Sequence, residues 1–265
     1  MSTKQTIAVV WASAGGLGDV GKFAALHAQR RDGVELRAVA ISEDRALPCR
    51  LLFGIPLQDG QATGIETTEV VPVSRREPLQ KEMEGVEILK LNITDNNCRE
   101  QLAAVFQGCD AVVACPGSRQ SGIACTCAIG ARQIVAAMQQ AGVSRLVVLS
   151  SFGIGDDYLP CSCIGCFWGC LLTTAFRSTK RDLEQMEEIV ASSNLDYLLV
   201  RPLGVDPSEL PRNSYKLVTA KGQGNLPITV SKDDVGLYLL EEALAPAHSK
   251  MGVTIGRDDA AKIVE

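Results

Sequence analysis

The sequence predicts an α/β fold: a doubly wound parallel sheet with helices on both faces and a small irregular C-terminal region. Three observations predict it. Apolar runs rich in β-branched residues alternate with stretches of helical length, which is typical of βαβ units. The first run, Thr6–Ala12, is continuously apolar after its first residue, as in a strand buried on both faces. A glycine-rich turn follows that run directly and opens the first predicted helix.

Length and composition favour one globular domain. The chain has 265 residues, of which 46% are hydrophobic and 22% charged, and this excludes the disordered and fibrous classes. Acidic residues outnumber basic ones by 31 to 26, so the net charge of −5 gives a nucleic-acid partner no electrostatic support. Two histidines are too few for a multi-histidine metal site, and we expect no metal.

Short β-branched runs mark the strands, and apolar residues at helical spacing mark the helices between them. The predicted strands are Thr6–Ala12, Val34–Ile41, Val86–Ile93, Ala111–Ala114, Arg145–Ser150, Asp196–Arg201 and a final Met251–Ile255. The predicted helices are Gly15–Arg31, Cys98–Gln107, Gly122–Ala141, Thr179–Ser193 and Ser231–Ala245.

Two segments interrupt this alternation. Residues 43–85 carry prolines and glycines where a crossover helix usually lies, and a loop this long tends to be functional or mobile. Residues 158–176 (YLPCSCIGCFWGCLLTTAF) contain no charged side chain.

The glycine-rich turn predicts a phosphate-binding site. Gly15-Gly-Leu-Gly18-Asp-Val-Gly21 joins a strand to a helix, where glycine permits positive φ and a close approach of the backbone to a pyrophosphate. The helix N-terminus offers unpaired N–H groups to the phosphates. A simple tight turn is the alternative, but the strand–turn–helix context favours nucleotide binding.

The end of the second strand bears on cofactor choice, because the adenosine ribose lies there. Ser42 and Arg45 favour the 2′-phosphate of NADP(H), whereas Glu43 and Asp44 favour the ribose hydroxyl of NAD(H). We expect NADP(H), with NAD(H) as the alternative.

Six motifs in order along the chain resemble a known family. They are Gly15–Gly21, Asn92–Asp95, Gly108–Gly117, Val147–Ser151, Asp196–Pro202 and Ser231–Val235. Over nearly its whole length the chain resembles the atypical short-chain dehydrogenase/reductases of the NAD(P)H-binding, NmrA-like type, which include flavin (biliverdin) reductase B-like proteins. The resemblance implies a single Rossmann-like NAD(P)-binding domain over residues 1–265. Its nucleotide-binding part would span roughly residues 1–155 and its substrate region roughly 156–180 and 203–265.

The resemblance also implies a place for each cofactor-binding residue. The pyrophosphate would meet Leu17, Gly18, Asp19 and Val20, beside the turn glycines Gly15 and Gly21. Asn92 and Ile93 would flank the adenine. The crevice would be lined by Ala114, Cys115, Pro116 and Gly117. The nicotinamide would lie beside Ser150, Ser151, Pro202, Leu203, Gly204 and Val205.

The catalytic motif departs from that of the wider superfamily. Many members of that superfamily use a Tyr-x-x-x-Lys pair, in which the lysine lowers the pKa of the phenol and the tyrosine protonates the carbonyl. This chain has Phe176 and Lys180 at that place, and phenylalanine has no proton to give. The catalytic candidates are therefore Ser151, Ser150 and Lys180, with Tyr158, water or the substrate as other proton sources. Lys180 would also bind the nicotinamide ribose; alternatively it is a solvated charge opposite Glu184, and the serines only end a strand.

The segment 158–176 holds Cys161, Cys163, Cys166 and Cys170 within ten residues. Four thiolates could ligate zinc or an iron–sulfur cluster, but structural zinc sites usually use two separated pairs, so small apolar packing is favoured. A membrane span is disfavoured by the interrupting Pro160 and glycines, and acylation is a further alternative. We expect a substrate wall for a small hydrophobic substrate, contributed by Tyr158, Phe167, Trp168 and Phe176, or a surface for a protein partner or membrane.

Two functions follow. The first is an NAD(P)H-dependent oxidoreductase that transfers hydride to a small hydrophobic carbonyl, enone or conjugated acceptor. The second is a non-catalytic NAD(P)-binding sensor or assembly subunit. Ten cysteines and no signal sequence in this chain predict reduced thiols and an intracellular location, cytoplasmic or organellar.

Overall fold

The computed structural model describes residues 4–12, 18–42, 86–117, 126–155, 177–206, 215–218 and 230–257. The long loop 43–85 and the cysteine-rich segment 158–176 lie outside the described residues, as do Gly15, Leu17 and Arg45.

One sheet organises the described chain. Its strands are β1 (Gln5–Ala12), β2 (Val34–Ser42), β3 (Ile88–Asn92), β4 (Ala111–Cys115), β5 (Arg145–Leu149), β6 (Asp196–Pro202), β8 (Tyr215–Val218) and β10 (Met251–Arg257). Their order is β3-β2-β1-β4-β5-β6-β10-β8. All neighbours are parallel except β8, which pairs antiparallel with β10. Two short strands, β7 (Val205–Asp206) and β9 (Val230–Ser231), form a separate parallel pair.

Five helices cover the two faces of the sheet in the described chain. They are α1 (Gly18–Arg30), α2 (Cys98–Phe106), α3 (Thr126–Ala141), α4 (Arg177–Ala191) and α5 (Lys232–Leu244). Alternate residues of β1 point to opposite faces, as the period of two of a strand requires. Ile7, Val9 and Trp11 pack with α1 and α5, whereas Ala8 and Val10 pack with α2, α3 and α4. The result is the predicted Rossmann-like doubly wound fold.

The predicted elements are confirmed with shifts of a few residues at their ends. Helix α4, for example, begins at Arg177 rather than Thr179 and ends at Ala191 rather than Ser193. The sequence did not predict β7, β8 or β9. Strands of two to four residues are too short for a hydrophobic period to appear, so only their backbone pairing identifies them.

A charged network closes the amino end of the sheet. Arg145, the first residue of β5, donates to the Glu242 carboxylate at 3.2 Å and to its backbone carbonyl at 2.9 Å. It also donates to Asp196 at 3.2 Å, and the Glu242 carboxylate lies 2.6 Å from His248 Nδ1. Arg145 and Glu242 are buried, and their pairing compensates for the burial of the two charges. The functional site is expected at the opposite, carboxyl end of the strands.

Candidate functional site

The sheet has a topological switch point between β1 and β4. The chain runs outward from β1 through β2 to β3, and then returns to place β4 on the other side of β1. The helices that follow β1 and β4, α1 and α3, lie on opposite faces of the sheet. A crevice is expected between two neighbouring strands whose following helices lie on opposite faces. In open α/β sheets, ligands bind in this crevice.

Gly21 brings α1 to this crevice. A Cβ atom at this position would lie 2.5 Å from Cβ of Trp11 and 3.2 Å from Cβ of Cys115. No other residue fits without moving the helix away from β1 and β4. Gly21 thus performs the packing role of the third glycine in a dinucleotide-binding turn, and it places the N-terminus of α1, which begins at Gly18, beside the strand ends.

Asp19 lies in the first turn of α1 and binds two lysines. Its Oδ1 accepts from Lys22 Nζ at 2.9 Å, and its Oδ2 accepts from Lys232 Nζ at 3.1 Å. Burial alone would raise the pKa of Asp19, but the hydrogen bonds and charges of the two lysines outweigh it and hold that pKa below its ordinary value. The carboxylate is therefore ionised and neutralised where a pyrophosphate was predicted. The backbone, rather than this side chain, is left to meet an anion.

On the β2–β3 side, three predicted residues have defined places. Ser42 is exposed at the end of β2, and its hydroxyl donates to the Leu91 carbonyl at 3.3 Å. Asn92 Oδ1 accepts from the N–H and hydroxyl of Thr94 at 3.1 and 2.8 Å, which forms a local turn. Ile93 is 1% exposed, so an adenine could meet only its backbone.

The four residues predicted to line the crevice, at the end of β4 and just beyond it, are buried. Ala114, Cys115 and Pro116 are all buried, as is Gly117. Burial raises the pKa of the Cys115 thiol well above its ordinary value, so this sulfur is a packing group. Any contact of these residues with a ligand runs through backbone atoms.

Ser150 faces a buried charge network rather than the crevice. It is fully buried, and its hydroxyl donates to Glu187 Oε1 at 2.5 Å. Arg201 binds the same carboxylate in bidentate fashion, with Nε–Oε1 at 3.0 Å and Nη2–Oε2 at 2.7 Å. Gly252 leaves room for this guanidinium, because a Cβ there would lie 2.7 Å from Arg201 Cζ. This geometry gives Ser150 a structural place, which differs from the catalytic role expected of it.

Ser151 is the more exposed serine of the pair. It is half-buried just beyond β5, and no hydrogen bond joins its hydroxyl to another described residue. Lys180 lies in the first turn of α4, with its Nζ 3.6 Å from Glu184 Oε1. This is the alternative role considered from the sequence, in which Lys180 is a solvated charge opposite Glu184. Tyr158, Phe167, Trp168 and Phe176 lie outside the described residues.

Residues 202–205, expected beside the nicotinamide, are fixed by backbone hydrogen bonds. The Phe152 N–H donates to the Pro202 carbonyl at 3.1 Å, and the Leu203 N–H donates to Ile255 at 3.0 Å. The Gly204 carbonyl accepts from Val230 at 2.8 Å, while Val205 pairs with Val230 in the short sheet. The segment after β6 is therefore held against β10 and β9 at the carboxyl end of the sheet.

Asp182 occupies the N-terminus of α3. Its two carboxylate oxygens accept from the backbone N–H groups of Cys127 and Ala128 at 3.0 and 2.9 Å. Burial raises the pKa of Asp182 above its ordinary value, although these hydrogen bonds oppose the shift. The anion-binding end of α3 is thus filled by the protein itself.

Sequence reasoning missed Asp182, Glu187, Arg201 and Lys232 as site-forming residues, because only tertiary packing distinguishes them from surface charges.

The described residues contain neither a metal-binding cluster nor a membrane-spanning helix. Within those ranges no cluster of three or more His, Cys, Asp or Glu could hold a metal ion. None of the five helices is long and apolar enough to cross a membrane, judged over the same residues. The described thiols, Cys98, Cys109, Cys115 and Cys127, are buried, and none of them is in a disulfide. Burial raises the pKa of Cys98 to about 11.

Comparisons with known proteins point to nucleotide binding. The model of a family described as NAD(P)H-binding matches residues 58–246. No curated protein matches the chain. A short-chain dehydrogenase/reductase from Veillonella parvula has a TM-score of 0.61 at 14% identity, over 97% of this chain and 96% of that one. A second V. parvula member, of the wide type and in complex with NADP, has a TM-score of 0.55 at 15% identity, over 96% and 95%. ChuY, an anaerobillin reductase from Escherichia coli O157:H7, has a TM-score of 0.58 at 20% identity, over 96% and 98%. At these identities the likeness shows a shared fold.

Proposed function

Because this chain belongs to the NAD(P)H-binding family, we propose that it is an NADP(H)-dependent reductase that transfers hydride to a small hydrophobic carbonyl, enone or conjugated acceptor. The observation that carries the proposal is Gly21, which lets α1 approach β1 and β4 so closely that its N-terminus meets the switch-point crevice. The family match begins beyond this turn, at residue 58, so the packing of Gly21 is independent support for a dinucleotide there.

The described residues fit a bound dinucleotide. The first turn of α1 would hold the diphosphate through backbone N–H groups, with the charge of Asp19 already neutralised by Lys22 and Lys232. The exposed hydroxyl of Ser42 would lie near the adenosine ribose, and together with Arg45 it favours the 2′-phosphate. When bound, the nicotinamide supplies the hydride; the protein's part is binding, orientation and proton transfer.

Ser151 is the described group best placed to donate a proton. Its hydroxyl is half-exposed just beyond β5 and has no described partner, so it is available to a substrate oxygen. Lys180, in the first turn of α4, would orient the nicotinamide ribose by exchanging its weak pair with Glu184 for the ribose hydroxyls. The substrate itself would rest against the apolar side chains of residues 158–176.

A second function has its own support. Phe176 stands where a tyrosine would supply the proton, and the buried hydrogen bond of Ser150 removes one serine from the reacting centre. These features favour a non-catalytic NAD(P)-binding sensor or assembly subunit that uses residues 158–176 to meet a partner protein or a membrane.

Fluorescence titration with NADPH and NADH, followed by NADPH consumption against quinones, flavins and enones, separates the two functions. The reductase proposal expects binding, tighter for NADPH, and turnover of at least one acceptor that falls in Ser151→Ala. Tight binding without turnover of any acceptor supports the sensor instead. No binding of either dinucleotide would contradict both functions.

A further inference from the structure

Lys232 is a buried lysine at the first position of helix α5. Its side chain is only 8% exposed. The positive end of the helix dipole disfavours a cation at this position, and burial of an ammonium group is costly unless the group is paired. Such a lysine needs an anion to compensate for both costs.

The anion that the described structure provides is shared. Asp19 Oδ2 binds Lys232 at 3.1 Å, while Oδ1 of the same carboxylate binds Lys22 at 2.9 Å. Among these three side chains alone, the two ammonium groups exceed the one carboxylate by one positive charge, while the next two residues of α5, Asp233 and Asp234, are acidic. An ammonium group has three donors, and Asp19 is the only described residue that accepts from Lys232. Two donors therefore remain for water or a further anion.

The packing of α5 on α1 fixes this charge in place. Gly236 allows close contact, because a Cβ there would lie 2.8 Å from both the Ala24 nitrogen and Phe23 Cβ. One turn away from that contact, Asp233 Oδ1 lies 2.8 Å from His27 Nε2. Lys232 is thus held relative to the first turn of α1 by contacts that do not depend on a ligand.

We propose that Lys232, oriented by Asp19 and assisted by Lys22, binds the diphosphate of the dinucleotide at the N-terminus of α1. The inference rests on the proposed function, and it adds a group from the C-terminal helix to a site otherwise built by the first β–α unit. A diphosphate supplies the negative charge that the Asp19–Lys22–Lys232 cluster lacks. Asp19 holds the lysine in place without using all of its donors.

Two nucleotide fragments locate the anion that Lys232 meets. ADP-ribose carries the diphosphate but neither the nicotinamide nor the 2′-phosphate, whereas adenosine 2′-monophosphate carries only the 2′-phosphate. We expect Lys232→Met to weaken binding of NADPH and ADP-ribose by about tenfold or more. The salt dependence of both dissociation constants becomes shallower, because one ion pair is lost. Binding of adenosine 2′-monophosphate stays unchanged.

Lys4→Met is the matched control. It removes one positive charge from an exposed side chain paired with Glu35 at the amino end of the sheet, so the affinities for all three ligands should be those of the wild type. Lys232→Arg tests whether charge or packing matters: retained charge should keep the ADP-ribose affinity within about threefold of wild type. An Arg variant as weak as the Met variant would contradict a charge-based role.

The outcomes separate this inference from the proposed function. If the wild-type protein binds neither NADPH nor ADP-ribose, the proposed function fails. If the wild type binds both and Lys232→Met binds them equally well, only the role of Lys232 is overturned. Should Lys232→Met not fold, Lys22→Met carries the test, since its side chain is 28% exposed. We expect it to weaken ADP-ribose binding about threefold, and unchanged binding would contradict the proposal.

Discussion

Ser150 donates to Glu187 across 2.5 Å, and this buried hydrogen bond ties the end of β5 to helix α4. The same carboxylate holds Arg201 of β6, so one acidic side chain joins three elements next to the candidate site. The neighbouring Ser151 belongs to none of these contacts. Two adjacent serines therefore have separate roles, one in holding the site together and one at its surface.

Alanine substitutions should separate these roles. Ser150→Ala removes a buried hydrogen bond to a charged group, and we expect it to lower the free energy of unfolding by about 2 kcal/mol. Ser151→Ala should change that free energy by less than about 0.5 kcal/mol. Its turnover of an accepted substrate should instead fall by about a hundredfold, as for loss of a general acid. Urea unfolding measures the stability of each variant, and initial rates measure its turnover. Equal destabilisation by Ser150→Ala and Ser151→Ala would contradict the separate roles of the two serines.

Glu187 should be among the most sensitive positions in the protein. Glu187→Gln removes the charge of the buried carboxylate that binds Arg201 in bidentate fashion and accepts from Ser150, and we expect a loss of about 3–5 kcal/mol in the free energy of unfolding. The double variant Glu187→Met/Arg201→Met is the control, because it removes both charges together. It should be more stable than the single variant. A double variant less stable than Glu187→Gln would show that packing, not the lost charge of the carboxylate, causes the destabilisation.

The Asp19 cluster makes stability depend on acidic pH with a defined sign. The folded state lowers the pKa of Asp19 below the ordinary 3.8. The carboxylate therefore stabilises the fold above that pH, and its contribution disappears as the pH falls through the folded-state pKa. Asp19→Asn should be less stable than wild type at pH 7. The two curves of unfolding free energy against pH should approach each other as the pH falls below 3.8. Curves that stay parallel throughout the acid range would contradict the pairing with the lysines.

Gly21 should be essential for nucleotide affinity. In Gly21→Ala the added methyl group meets Trp11, so α1 must move away from the strand ends; we expect about 1–3 kcal/mol of lost stability and a marked loss of NADPH affinity. Gly33→Ala is the matched control. Its methyl group meets nothing within 4 Å, but its φ of +78° is strained for alanine, so stability falls by about 1–2 kcal/mol while NADPH affinity is unchanged. Equal NADPH affinities of Gly21→Ala and Gly33→Ala would contradict the claim that close packing at Gly21 is needed for nucleotide binding.

The fold was predictable because its signal is local. The runs that became β1, β4 and β5 are apolar on both faces over most of their length, and only a sheet covered on both sides buries such runs. The glycine-rich turn is also a local signal, and it correctly predicted a helix directly after β1. The strands β7 to β9 escaped prediction because their pairing is set by the distant chain beside them and not by their own residues.

The site was only partly predictable because its charges pair over long distances. In sequence, Lys232 belongs to the polar run Ser-Lys-Asp-Asp and resembles a solvated helix start. It is buried only because α5 packs on α1, which brings it to Asp19, 213 residues away. Likewise, no local rule states which of two consecutive serines faces Glu187. Spacing predicts where a site forms, whereas side-chain direction within it follows from tertiary packing.

A crystal structure of the protein with NADPH tests the central claim most directly. We expect the diphosphate at the N-terminus of α1, within hydrogen-bond distance of the backbone N–H groups of its first turn and of Lys232 Nζ. Dinucleotide density anywhere else, or none at this crevice under saturating NADPH, would contradict the account.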